Sequence, residues 1–298
     1  METQLAESQP PDGMPLWKPK KWIAVVLSLF VSPLGVVYAG RPLVALAYFL
    51  FAVVGVFTGI YVFYLDSITS AAFAAVWLSW VVAAVTAVHA YVIAARAEGT
   101  LERKWFTRWW GLIAIYVAFI VPLLAVRTFL FEPFRFPSES MYPTIPAGSH
   151  FLITKAGFGN YRLYGDSVLH TARTEKLSRG DIVVFSLPDN EGVSYAKRIV
   201  GLPGDVLTYQ NKRLSINGRA VVLNIERKDA RYEYGTETID GHSYRVAHLS
   251  QVPGFDFELT VPDDRIFVMG DSRDNSKDSR YWGPIPDWLV VGRVIWVD

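Results

Sequence analysis

The sequence predicts two unlike halves: an α-helical transmembrane N-terminal region of about four helices, then a mostly-β, antiparallel, barrel-like domain. Three observations carry that expectation. Of the 298 residues, 51% are hydrophobic and only 19% charged, too apolar a balance for a wholly soluble chain. The apolar excess ends near Arg127, after which polar and apolar residues alternate. The later half also breaks into short β-branched and aromatic runs bounded by Gly, Pro and Asp, the pattern of strands. The chain accordingly divides into a tail (1–21), a helical membrane region (22–127) and a β-rich domain (128–298).

The tail, Glu2–Gly13, is polar with a "PPDG" turn and is expected to be disordered. Four uncharged runs follow, each near the roughly 20 residues that cross a hydrocarbon core: Trp22–Gly40, Leu43–Leu65, Ala71–Ala95 and Trp109–Val126. The first contains "SPLG" (Ser32–Gly35), a kink or a re-entrant bend, and is the weakest span. Trp22, Tyr61, Tyr64, Trp105, Trp109 and Trp110 fall near run ends, where amphipathic rings anchor. His89, inside the third run, reads more readily as a neutral packing histidine than as a functional one. No small-residue cleavage site follows a short apolar core, so the N-terminus does not read as a signal peptide.

Arg96, Arg103, Lys104 and Arg108 between the third and fourth runs mark that loop as cytoplasmic, whereas only "DSITS" separates the second from the third. The fourth run then travels outward and delivers the β-rich half to the outer face. Lys18, Lys20 and Lys21 sit awkwardly with four full spans; either the first run stops short or the later loops dominate.

In the second half "HFLITKA", "GDIVVFSL", "SYAKRIVGL", "DVLTYQ", "RLSINGRAVVL", "FELTVP", "RIFVMG" and "VVGRVIWVD" read as strands, with Asn217–Gly218 as a two-residue hairpin turn. Turns between successive strands argue an antiparallel, barrel-like domain. The 29 Lys+Arg against 28 Asp+Glu leave no basic field for nucleic acid. Without cysteine there are no disulfides, zinc–thiolate sites or thiol nucleophiles.

Conventional catalytic patterns fail. None of the five histidines stands in a nucleophile–base motif, and no G-x-S-x-G elbow exists. "SYAK" (Ser194–Lys197) matches S-x-x-K but sits in a strand-like run without its companion motifs. "GDSRDNSKDSR" (Gly270–Arg280) breaks the calcium-loop pattern at Arg273, and its mixed Asp and Arg suggest an ion-paired loop; no metal site is expected. By itself "PSESMYPT" (Pro137–Thr144) is a polar turn between a helix and a strand.

Taken together, three motifs outweigh that plain reading. "EPFRFPSESMYPT" (Glu132–Thr144), "RGDIVVF" with "YAKRIVGLPGD" (Arg179–Asp205) and "GDSRDNSKDSRYWG" (Gly270–Gly283) occur in the order found in bacterial type I signal peptidases. The chain resembles that family from about Thr128 to Asp298. The resemblance implies Ser140 as nucleophile and Lys197 as general base, with no cofactor. It implies an oxyanion hole from the Ser138 hydroxyl and the Ser140 N–H, and Ser276 as the group that orients the lysine. It makes Asp278 and Arg280 supporting residues, and Phe136, Pro137, Met141, Tyr195 and Ala196 the substrate groove. Ser272 stands where the family usually has Asn, and Glu139 where it commonly has Gly; the extra N-terminal spans are the larger departure.

A lysine serves as base only when neutral. Bringing it from about 10.4 to near 7 takes a differential of roughly 4 kcal/mol, for which desolvation is the lever. Phe136, Met141, Tyr195, Ile199 and Val200 are the expected dry walls. The implied protein is a monomeric, multi-pass enzyme of the bacterial cytoplasmic membrane with its catalytic domain outside. Its substrates would be secretory preproteins with A-x-A-like sites, bound as an added strand at the bilayer surface. A lapsed or specialised peptidase-like assembly factor is the alternative.

Overall fold

The computed structural model describes residues 16–51, 68–99, 103–187 and 193–298. The polar tail through residue 15, the end of the second apolar run and the beginning of "DSITS" lie outside them. The chain forms two compact units, Met1–Pro122 and Leu123–Asp298.

In the first unit, α1 spans Lys21–Phe30 and α2 spans Leu34–Tyr38. The first apolar run is therefore not one continuous span. Pro33 has no N–H to give and disfavours helix in Ser32, so the helix stops at Phe30. The loosened Ser32 hydroxyl lies 2.9 Å from that of Thr86. A third helix, α3, is described over Pro42–Phe51, and α4 runs Ile68–Arg96. Buried Ala24, Ala45, Ala90 and Ala94 form the seam with Val36, Val37 and Tyr38; small side chains let helices approach closely where lipid provides no hydrophobic drive.

Among the described residues one helix, α5 (Trp109–Phe129), is both long and apolar enough to cross a membrane; Lys21–Phe30, Pro42–Phe51 and Trp80–Arg96 are shorter apolar stretches. Of the four expected spans, one is thus present at full length among the described residues, and the apolar stretches described for the others are shorter.

The second unit is built from β1 (Phe131–Arg135), β2 (His150–Thr154), β3 (Asn160–Leu163), β4 (Asp166–His170), β5 (Ile182–Ser186) and β6 (Ser194–Gly201). There follow β7 (Val206–Gln210), β8 (Arg213–Ile216), β9 (Arg219–Ala220), β10 (Val222–Lys228), β11 (Tyr232–Ile239) and β12 (His242–Leu249). The last are β13 (Phe257–Thr260), β14 (Arg265–Met269), the short helix α6 (Ser279–Trp282), β15 (Ile285–Pro286) and β16 (Val290–Val297).

The main sheet is seven-stranded and antiparallel, ordered β1-β2-β16-β5-β6-β14-β15. Its central strands are buried on both faces, which is why "IVVF" and "IVG" read as unbroken apolar runs rather than alternating ones. Smaller sheets β13-β7-β8-β9, β10-β11-β12 and β3-β4 complete the unit. All the strands read from sequence are present, and Asn217 and Gly218 both take positive φ (52° and 75°), as a type I′ hairpin demands.

Strands β1, β3, β4, β11, β12 and β15 have no counterpart in the sequence reading, which reached only the first two residues of β10. β1 is the aromatic "FEPFR"; it pairs with β2, and Phe134 packs on Phe151 with ring centroids 5.6 Å apart. The end of α5 is tied to this edge by Lys155, which is fully buried. Its Nζ donates to Glu132 Oε2 (3.1 Å) and to the carbonyls of Arg127 and Arg162. Burial lowers the pKa of that amine, against the pull of Glu132.

Candidate active site

Two strands and two turns meet at the site. After β1 the chain leaves the sheet at Phe136, whose N–H and carbonyl are held by Ser149 and Gly148, and turns tightly through Ser140–Thr144. Lys197 stands mid-strand on β6, opposite Val183 of β5. Residues 140 and 197, 57 apart in sequence, come together: Lys197 Nζ lies 2.5 Å from Ser140 Oγ. Both are buried, at 3% and 7% exposure.

Desolvation pushes the Lys197 amine down to about 8. Asp278 and Asp271 pull the other way, and Arg280 assists the lowering. Phe136, Met141 and Ala196 belong to one buried apolar cluster, and Ile199 and Val200 are fully buried in two others. Tyr195 is half-buried and stacks on Phe185, while Pro137 and Ser138 are exposed. The surface is thus open at Pro137 and Ser138 and closed around the amine.

The Ser140 N–H donates to Ser138 Oγ at 3.1 Å. The two groups expected to point together at an oxyanion are bonded to each other in the free protein. Ser276, expected to orient the lysine, is also placed differently: its buried hydroxyl has no hydrogen-bond partner among the described residues. It stands beside Gly270, where an added Cβ would lie 2.2 Å from Ser276 Oγ and 2.4 Å from the Ser140 carbonyl oxygen. Only glycine allows the turn to pass beneath the serine.

Behind this floor the acid-rich loop is ion-paired throughout. Asp278 receives Arg280 Nε and Nη2, both at 2.8 Å, and accepts the Gly270 N–H at 2.9 Å. Arg198 forms a two-pronged pair with Asp271 (2.8 and 2.6 Å) and lies 4.0 Å over the Tyr244 ring. Arg273, fully buried, is forked by Glu237 at 2.7 and 2.5 Å, and the Arg273 carbonyl accepts from Arg280. The Ser272 N–H reaches the Ser140 carbonyl at 3.2 Å, so its backbone, not the departure in its side chain, touches the site. Glu139 projects outward to Asn275 (3.3 Å) and Arg231 (3.5 Å). No metal-binding cluster occurs among the described residues. Ser194 is exposed on β6 and three strand positions from Lys197, which places them on opposite faces.

The sequence reading quoted Arg198, Asp271 and Arg273 within its motifs without giving them roles. Glu237 had no signal at all, since a lone acid in "GTETI" looks solvated.

The family model described as signal peptidase, peptidase S26, matches residues 106–297. The chain belongs to that family. It is a serine endopeptidase that removes signal peptides from secretory preproteins. The chain is 36% identical over 201 residues to a signal peptidase I of Pseudomonas fluorescens, covering 61% of this chain and 69% of that one. It is 30% identical over 236 residues to a signal peptidase I of Buchnera aphidicola subsp. Baizongia pistaciae (strain Bp), covering 62% and 74%. A crystal structure of a signal peptidase I from Enterococcus faecalis V583 is 30% identical and covers 41% of this chain and 98% of its own, with a TM-score of 0.28.

Proposed function

We propose that Ser140 is the nucleophile of this endopeptidase and Lys197 its general base. The observation that carries the assignment is the 2.5 Å approach of a buried amine, lowered to about 8, to a buried serine oxygen. At pH 7 about one molecule in ten holds the amine neutral. In that state the serine O–H donates to Nζ. As Oγ attacks the scissile carbonyl the proton passes to Nζ, and the lysine then delivers it to the departing amine. Water, deprotonated by the same amine, hydrolyses the acyl-enzyme.

Ser138 rotates when substrate arrives. The incoming oxyanion replaces its oxygen as acceptor of the Ser140 N–H, and the Ser138 hydroxyl becomes the second donor. Ser138→Ala is expected to lower kcat about 10²–10³-fold with KM little changed; steady-state kinetics on a preprotein peptide checks this.

Asp278, Arg280 and Ser276 hold the floor beneath the dyad. Phe136, Pro137, Met141, Tyr195 and Ala196 form shallow pockets that accept the small side chains of an A-x-A-like site, the substrate running as an added strand. The enzyme works as a monomer, 128–298 forming its catalytic domain on the outer face of a bacterial cytoplasmic membrane with several apolar segments anchoring it. The alternative of a lapsed, assembly-type protein gains no support from an amine held dry against a serine, an arrangement that costs stability.

The deciding experiment is a pH–rate profile. Because the base is the deprotonated form, kcat/KM should climb about tenfold per unit below pH 8 and level off above pH 9. A profile still climbing at pH 10 would reject Lys197 as a desolvated base.

A further inference from the structure

A cavity of about 660 Å³ lies in the helical unit, bordered by the turn before α3 and by α4. Arg41, Arg96, His89 and Glu98 line it together with apolar Val44 and Ile93. Two guanidinium groups against one carboxylate leave its wall with a formal excess of one positive charge. Neither arginine has an ion pair or side-chain hydrogen bond among the described residues. His89 is fixed by Tyr48, whose hydroxyl oxygen lies 2.8 Å from Nδ1. With the tyrosine O–H donating there, Nε2 carries the ring N–H as a further donor.

Planar guanidinium forks match phosphate oxygens two at a time, and basic pockets between membrane helices suit anionic headgroups. We propose that this cavity binds a phosphate-ester anion, from an acidic phospholipid headgroup or a soluble phosphate, between Arg41 and Arg96. The single excess charge matches a singly charged diester, and Val44 and Ile93 give an acyl chain an apolar wall beside the head. None of its residues belongs to the catalytic machinery.

The test is thermal unfolding of the full-length protein in lipid-free detergent, with added phosphatidylglycerol, phosphatidylcholine or inorganic phosphate. Phosphatidylglycerol is expected to raise Tm by roughly 5 °C, and phosphatidylcholine by less than half as much. Arg41→Gln with Arg96→Gln should lose that increment while cleaving a detergent-soluble peptide at the wild-type rate. Arg41→Lys with Arg96→Lys should keep more than half of it. An equal rise from inorganic phosphate alone upholds the phosphate chemistry and assigns the source as soluble. Equal increments from both lipids, or an undiminished phosphatidylglycerol increment in the Gln pair, overturn the proposal. Should the Gln pair fail to fold, each single Gln variant is expected to lose about half of the increment, and no loss in either overturns the proposal equally.

Discussion

Lys197→Met is expected to abolish signal-peptide cleavage and, below pH 8, to make the protein more stable than the parent. The activity loss follows from removing the one base hydrogen-bonded to Ser140 Oγ among the described residues. General base and nucleophile act as a unit, so Ser140→Ala and Lys197→Met should each cost at least ~10⁴-fold in kcat/KM, and the double variant little more.

The stability gain follows from the amine's burial. Its pKa falls from 10.5 in the open chain to about 8 when folded. Between those values the unfolded state binds more protons, so wild-type stability rises with pH across the window. Below pH 8 the folded protein bears the full penalty of a buried ammonium, roughly 3 kcal/mol at 1.36 kcal/mol per unit. Methionine, of similar length and apolar, escapes it. Urea unfolding at pH 6.5 and pH 10 checks both sides: the variant's advantage should be large at the first and fade toward the second. A variant that unfolds more easily at pH 6.5 would show that the lysine stabilises the fold.

Glu237→Ala is expected to destabilise the β unit by about 3–5 kcal/mol, a large share of the 5–15 kcal/mol that holds a typical domain. The carboxylate is 1% exposed and accepts both Arg273 nitrogens and the Tyr244 hydroxyl at 2.8 Å. Truncation leaves the Arg273 cation fully buried with no carboxylate to pair it. Replacing both partners removes that orphan, so Glu237→Leu with Arg273→Met should recover much of the loss. Denaturant midpoints of wild type, Glu237→Leu, Arg273→Met and the double variant give the coupling directly. A Glu237→Ala midpoint within error of wild type would mean that water or backbone relaxation satisfies Arg273.

Strands buried on one or both faces were legible because their side chains advertise it. β5, β6, β14 and β16 are dense in Val, Ile and Phe. β10 is exposed along nearly its whole length and ends in Glu226-Arg227-Lys228, so its sequence carries no burial signal. β11 alternates, yet its interior positions include Gly235 and the ion-paired Glu237, and only the tertiary partner Arg273 makes an acid acceptable there. "SPLG" did announce a bend, and Pro33 ends α1 before it can span.

At the site, motif order brought Ser140 and Lys197 forward, but no spacing rule predicts a contact between residues so far apart. The mix of Asp and Arg in Gly270–Arg280 signalled ion pairing, but which acid meets which base is set by the fold. Asp278 takes its neighbour Arg280, while Asp271 reaches across to Arg198 and Asp274 to Lys212. The resting bond between Ser140 N–H and Ser138 Oγ is a property of free groups in space, invisible to any string of letters.

The crowding at Gly270 has a dynamic corollary. Because a Cβ at Gly270 would lie 2.2 Å from Ser276 Oγ and 2.4 Å from the Ser140 carbonyl oxygen, the turn carrying Ser140 and the turn under it are expected to move together. Gly270 follows directly on Met269, which is zipped to Arg198 in the main sheet. The segment bearing Ser140 is therefore expected to move with a central strand, although it is, by chain topology, a loop.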